Sequence, residues 1–128
     1  MSVTFAYDAT YPGPALPVLE FIIAATDAEQ AQTVVGLVDS GADGTLIPAA
    51  ILHAIGARKI DEAWARTVSG ERYPVSIFVV TLTIGDYTLP DVELLANDRT
   101  DEIIVGRDVL NQLIVTLNGP AALLEVSA

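Results

Sequence analysis

The sequence predicts an all-β chain with minor helix, on three observations. Branched and aromatic residues gather in short runs, turn-forming residues separate those runs, and only two stretches break the pattern. The runs are residues 3–7, 18–25, 33–38, 66–68, 73–84, 92–95 and 114–117, each rich in Val, Ile, Thr, Tyr or Phe, which suit a pleated, half-buried surface.

Between them stand Tyr11-Pro12-Gly13-Pro14, Thr26-Asp27-Ala28-Glu29, Ser69-Gly70, Gly85-Asp86, Asn97-Asp98 and Asn118-Gly119-Pro120. Gly supplies positive φ, Pro fixes φ, and Asn or Asp bonds its own backbone, so each cluster reads as a turn. The first exception to the β pattern is residues 48–55, which open on Pro48, suited to a first helical turn, and stop at Gly56. The second, residues 107–113, is too short to be helical alone and is expected to dock on the sheet. A faint internal echo joins Leu37-Val38-Asp39-Ser40-Gly41 to Ile104-Val105-Gly106-Arg107-Asp108, each an apolar pair running into a Gly-containing polar turn.

With 128 residues, the chain is expected to form one domain over residues 1–128. Apolar residues make up 52% of it, so either the core is generous or apolar surface is covered by a partner. Its richest stretches are interrupted by Glu20 or by Thr81 and Thr83, short of the ~20 apolar residues that a spanning helix needs. Residues 1–4 show no basic segment leading into an apolar one, and cysteine is absent. The expectation is therefore a cytoplasmic protein without disulfides or thiolate metal sites. Seventeen acidic against six basic residues give a formal charge of −11, which repels a phosphate backbone and argues against nucleic acid; the excess carboxylate also keeps an apolar chain soluble. His53 is the only histidine, with no Cys or acidic cluster near it in sequence, so neither metal nor cofactor is expected.

The chemistry concentrates at residues 34–45. Val34-Val35-Gly36-Leu37-Val38 reads as a buried strand that ends abruptly in Asp39-Ser40-Gly41-Ala42-Asp43-Gly44-Thr45. An acid at the end of an apolar strand is costly unless hydrogen-bonded, although Asp-Ser-Gly is also ordinary turn chemistry. The flanks narrow the choice. Leu37-Val38-Asp39-Ser40-Gly41-Ala42-Asp43-Gly44-Thr45-Leu46-Ile47 resembles the active-site signature of the retropepsin-like (retroviral-type) aspartic proteases. Ile103-Ile104-Val105-Gly106-Arg107-Asp108-Val109-Leu110, then Asn111-Gln112-Leu113, resembles their second signature.

The resemblance implies a barrel-like closed sheet with one or two short helices and a flap hairpin over residues 66–76, tipped by Ser69-Gly70. It implies an aspartic endopeptidase with Asp39 as the catalytic carboxylate. Ser40, Gly41, Gly106 and Arg107 would support the active-site loop, with Arg107 meeting Asp43 in a buried pair. Ala42, Asp43, Val68, Ser69, Gly70 and Ile104 would contact substrate, with Leu46 a further pocket candidate. Two facing carboxylates are needed, and the chain holds one Asp-Ser-Gly, so a homodimer acting on peptide or unfolded protein is implied. Asp108 follows a Gly-Arg helix start and reads as a cap, while Asp43 lies only four residues from Asp39 on the same loop. Trp64 is expected to pack beneath the flap base. The chain departs from viral members in running on past Thr116-Leu117-Asn118 into a further strand over residues 121–126, and in having only Gly70 at the flap tip. Both departures resemble cellular and bacterial relatives. A catalytically silent dimerisation or peptide-binding module of the same fold carries the same motifs and is the alternative.

Overall fold

The computed structural model describes residues 2–26 and 30–128. Ten strands and two short helices follow in the order β1 (Ser2–Ala6), β2 (Val18–Ala25), β3 (Ala31–Val38), β4 (Leu46–Pro48), α1 (Ala49–Ala54), β5 (Arg58–Arg66), β6 (Arg72–Ile84), β7 (Tyr87–Asn97), β8 (Ile104–Val105), α2 (Arg107–Leu110), β9 (Ile114–Asn118) and β10 (Leu123–Ser127). The expected all-β class with two short helices is what forms. Of the expected turn at residues 26–29, positions 27–29 lie outside the described residues.

The larger sheet has the order β2-β3-β8-β4-β7-β6-β5, and β2 also pairs with β6. That second pairing rolls the sheet into a barrel. It is possible because β6 is long and changes partner along one edge: Arg72 to Val79 pair with β5, whereas Val80 to Thr83 pair with β2. β5 is left projecting with the first half of β6 as a two-stranded arm. A second sheet, β1-β10-β9, is antiparallel throughout.

Alternation places the core. Leu19, Phe21, Ile23 and Ala25 of β2 point inward while Glu20 and Ile22 face out, the period of a strand with one buried face. Leu19, Phe21 and Ile23 share one cluster with Leu82 and Ile84 of the adjoining β6 and with Leu94 and Val105, and Leu124 and Val126 of the smaller sheet join it. α1 adds Leu52 and Ile55, which share one helical face. It closes as the sequence predicts: Gly56 takes φ +70°, and the N–H groups of Gly56 and Ala57 bond back to the carbonyls of His53 and Leu52.

Three expectations change. The run predicted at residues 66–68 is the end of a longer strand, β5, while Thr67 and Val68 belong to the turn that follows. β5 pairs only with β6 and keeps most of its residues in solvent, so it forms without the apolar alternation by which strands are recognised. Helix α2 stops at Leu110, and residues 111–113 continue as tighter turns. Trp64 does not pack beneath the hairpin; it lies on β5, 63% exposed, with the Arg72 guanidinium 4.8 Å from its ring centre. Among the described residues no helix is long and apolar enough to cross a membrane.

Candidate active site

Two loops leave neighbouring strands and interlock. β3 and β8 run parallel, with Leu37 opposite Ile104 and Val38 opposite Val105, so the internal echo of the sequence is a pairing in space. β4 continues on the other side of β8, with Leu46 opposite Ile104. The loop of residues 39–45, between β3 and β4, therefore lies against the turn that leads from β8 into α2.

Asp39 sits where β3 ends, half-buried, with its N–H donating to the Val105 carbonyl at 3.0 Å and Val38 N–H donating to the Pro17 carbonyl at 3.1 Å. The end of β3 is thus anchored to β8 on one side and to Pro17, just before β2, on the other. Asp39 Oδ1 accepts the Gly41 N–H at 2.9 Å, and its carbonyl accepts the Ala42 N–H at 3.1 Å, a turn in which Oδ2 has no hydrogen-bond partner among the described residues. Ser40 is exposed, and its carbonyl accepts Arg107 Nη1 at 2.7 Å.

Arg107 is the clasp between the loops. Its N–H donates to the Ala42 carbonyl at 2.9 Å, and its Nη2 pairs with Asp43 Oδ1. The pair forms as the signatures imply, but at the surface rather than buried, with the side chains 42% and 93% exposed. Both loops are surface turns at the strand ends, so solvent reaches the pair from outside. An ion pair so exposed contributes only about 0–1 kcal/mol, and its geometry matters more than its energy.

Beneath it lies a network that the motifs did not assign. Thr45 is fully buried, donating its N–H to Asp108 Oδ2 at 3.0 Å and its hydroxyl to Asp108 Oδ1 at 2.7 Å, while the same hydroxyl accepts the Gly106 N–H at 3.0 Å. Asp108, read from sequence as a cap, does take Val109 N–H at 2.9 Å, but its main task is this crosslink. The signal was available in part: a threonine held between Gly44 and an apolar run needs a partner for its hydroxyl. Gly106 completes the contact. A Cβ there would lie 2.6 Å from the Gly44 carbonyl oxygen, so only glycine lets the two backbones touch. With Asp43 held by Arg107 and Asp108 by Thr45, neither is a second acid facing Asp39.

Of the other expected site residues, Ile104 is half-buried beside Leu37 and Leu46. Val68, Ser69 and Gly70 stand apart at the tip of the β5–β6 arm, where Val68 is fully exposed and Gly70 takes φ +89°. The tip is braced within itself, by Gly70 N–H to the Thr67 carbonyl at 2.9 Å and Thr67 Oγ1 to Ser69 Oγ at 2.9 Å. His53 is exposed on α1, edge-on to the Phe78 ring at 6.0 Å, and among the described residues no group of three or more acids and histidines is placed to hold a metal.

No curated protein matches the sequence. Solved structures do. The protease of EIAV, complexed with the inhibitor HBY-793, superposes with a TM-score of 0.63 at 23% identity, over 81% of this chain and 93% of that one. A retropepsin-like aspartic protease from Rickettsia conorii superposes with a TM-score of 0.67 at 14% identity, over 98% of this chain and 89% of that one. Identities this low establish a shared fold. A family profile described as aspartyl protease matches residues 25–109, a span that holds both interlocked loops. On that match and that fold, the chain belongs to the aspartyl protease family and is retropepsin-like.

Proposed function

We propose that this chain is an aspartic endopeptidase, one catalytic domain over residues 1–128, active as a homodimer in which each copy contributes Asp39. The observation that carries the reading is the state of the acids around the loop: Asp43 and Asp108 are engaged, whereas Asp39 keeps one carboxylate oxygen outside any hydrogen bond among the described residues.

Amide hydrolysis by this route needs a base to take a proton from water and an acid to protonate the carbonyl oxygen or leaving nitrogen. Two carboxylates about 3 Å apart cannot both ionise, so they hold one proton between them and supply both roles. A two-fold axis beside Asp39 brings its equivalent opposite without a second motif. Ser40 would then reach the partner's loop, Gly41 would let substrate backbone approach, and Arg107 and Gly106 would keep the loop rigid. The β5–β6 arm would act as a flap, with Val68, Ser69 and Gly70 over an extended, largely apolar peptide and Ala42, Asp43 and Ile104 along its other side.

The smaller sheet supports a dimer. β9 pairs with β10 on one side only, carries no charge or proline, and exposes Ile114 and Leu117 at 59% and 55%. The projecting β5, by contrast, is guarded by Arg58, Lys59, Asp61, Glu62, Arg66 and a bulge between Lys59 and Asp61. Unguarded apolar edges are the ones that pair with another chain. The strand expected over residues 121–126 is β10, which lies inside this sheet and leaves the β9 edge open.

Asp39→Asn tests the proposal. Cleavage of an unfolded protein should cease while sedimentation still reports a dimer; retained cleavage would overturn it.

A further inference from the structure

The β5–β6 arm has a charge pattern that the proteolytic reading does not use. Four of the six basic residues, Arg58, Lys59, Arg66 and Arg72, lie on these two strands of an otherwise acidic chain. Arg66 and Arg72 are direct cross-strand partners. Like charges in that relation repel, and neither arginine joins an ion pair among the described residues, where the pairs join Lys59 to Glu62 and Arg107 to Asp43. Arg72 is stacked on Trp64, which fixes its guanidinium plane and leaves its N–H edge free for a carboxylate.

The same face continues away from the arginines. Pairing runs Arg66 with Arg72, Trp64 with Pro74, and Glu62 with Ser76, and alternate residues of a strand share a face. Glu62, Pro74 and Ser76 also line a groove of about 460 Å³, together with the apolar Phe78 and the charged Lys59 and Asp98. The volume lies in the range of small-ligand pockets and has room for one apolar side chain. From Arg72 to Ser76 the strand advances roughly 13 Å, about four residues of an extended peptide.

We infer that this face is a docking site for an acidic and apolar protein segment, with a carboxylate held by Arg66 and Arg72, an apolar side chain over Trp64 and Pro74, and a second one, about four residues on, in the groove. Local charge complementarity selects the occupant: Arg66 and Arg72 join no ion pair among the described residues and attract an anion at this spot, against the long-range repulsion of a chain of net charge −11. Trp and Arg together are the side chains that most often dominate protein recognition. Asp39 takes no part, so the site stands or falls independently of catalysis.

Trp64 is the only tryptophan and reports directly on the site. The probe is a synthetic peptide with two glutamates, a leucine two positions on and a phenylalanine four positions on, titrated into the full chain. A saturable change in Trp64 emission is expected, weakened roughly tenfold or more in the R66Q/R72Q double variant, as loss of charge-assisted hydrogen bonds requires. Equal affinity for a peptide with lysine in place of glutamate would overturn the inference on the unaltered protein, whatever the folding of the variant. So would equal binding by a folded R66Q/R72Q. Emission changes with phosphatidylserine vesicles but not with the peptide would replace it with a membrane surface, and changes with protein concentration alone would replace it with a second copy.

Discussion

Thr45 gives both its N–H and its hydroxyl to the carboxylate of Asp108, 63 positions further along the chain, and takes the Gly106 N–H on the same hydroxyl. One buried side chain thus ties together the two loops whose relative position sets the direction of Asp39. Thr45→Val keeps the shape and removes the hydroxyl, leaving the Gly106 N–H and part of the Asp108 carboxylate unsatisfied. It should cost about 1–3 kcal/mol in urea denaturation, with the slope of the transition unchanged.

Gly106→Ala tests the close approach of the loops. The added methyl would meet Gly44 backbone, which has no flexible end to give way, so the loop of residues 39–45 has to move. Overpacking of this kind costs typically about 1–3 kcal/mol or more. Gly56→Ala is the control: its Cβ would meet nothing within 4 Å, and the cost, about 1 kcal/mol, would come from φ +70° alone. Thermal unfolding of the pair should rank Gly106→Ala as the more damaging, and cleavage should fall only for that variant.

Leu117→Lys places a charge on the open edge of β9. Sedimentation should show a shift towards monomer, and cleavage should fall in parallel, because each copy holds half of the proposed dyad. A dimer as stable as the unaltered one would move the interface elsewhere on the molecule.

The Asp8 carboxyl is held below its ordinary range, first by the hydroxyl of Thr10 at 2.6 Å and then by the Thr10 N–H at 2.9 Å. Both bonds favour the charged form. A depressed carboxylate in the folded state contributes stability above the unfolded carboxyl range and loses it as pH falls through the folded value. Thr10→Ala should raise the Asp8 titration midpoint followed by NMR. The two proteins should differ slightly in stability at neutral pH and converge in acid.

Much of this was legible from local pattern. Residues 18–25 are rich in branched and aromatic side chains, so β2 is found, and the Pro48 to Gly56 frame delimits α1 because its stop depends on one residue's φ. Gly106 and Arg107 were legible because backbone crowding and an arginine clasp restrict those positions to few residue types, whereas Asp39 stood out only through the resemblance of its flanks. What escaped was non-local. β4 and β8 are three and two residues long, too short to show a period, and exist only because neighbouring strands pair with them. Thr45 and Asp108 look unremarkable until the barrel brings them together. Trp64 was expected to pack beneath the flap base, yet its ring covers an arginine on the outside of the arm.

β6 leaves the arm and enters the barrel wall without a break, changing neighbour between Val79 and Val80. The arm is therefore a cantilever whose fixed end is cast into the core at Val80, Leu82 and Ile84. Its stiffness decays outward from that root, from strands gripped on both edges to a ribbon held on one. Bending will concentrate near Val75 and Ser76, and whatever settles on the outer face beside Trp64 will load the beam well short of its tip.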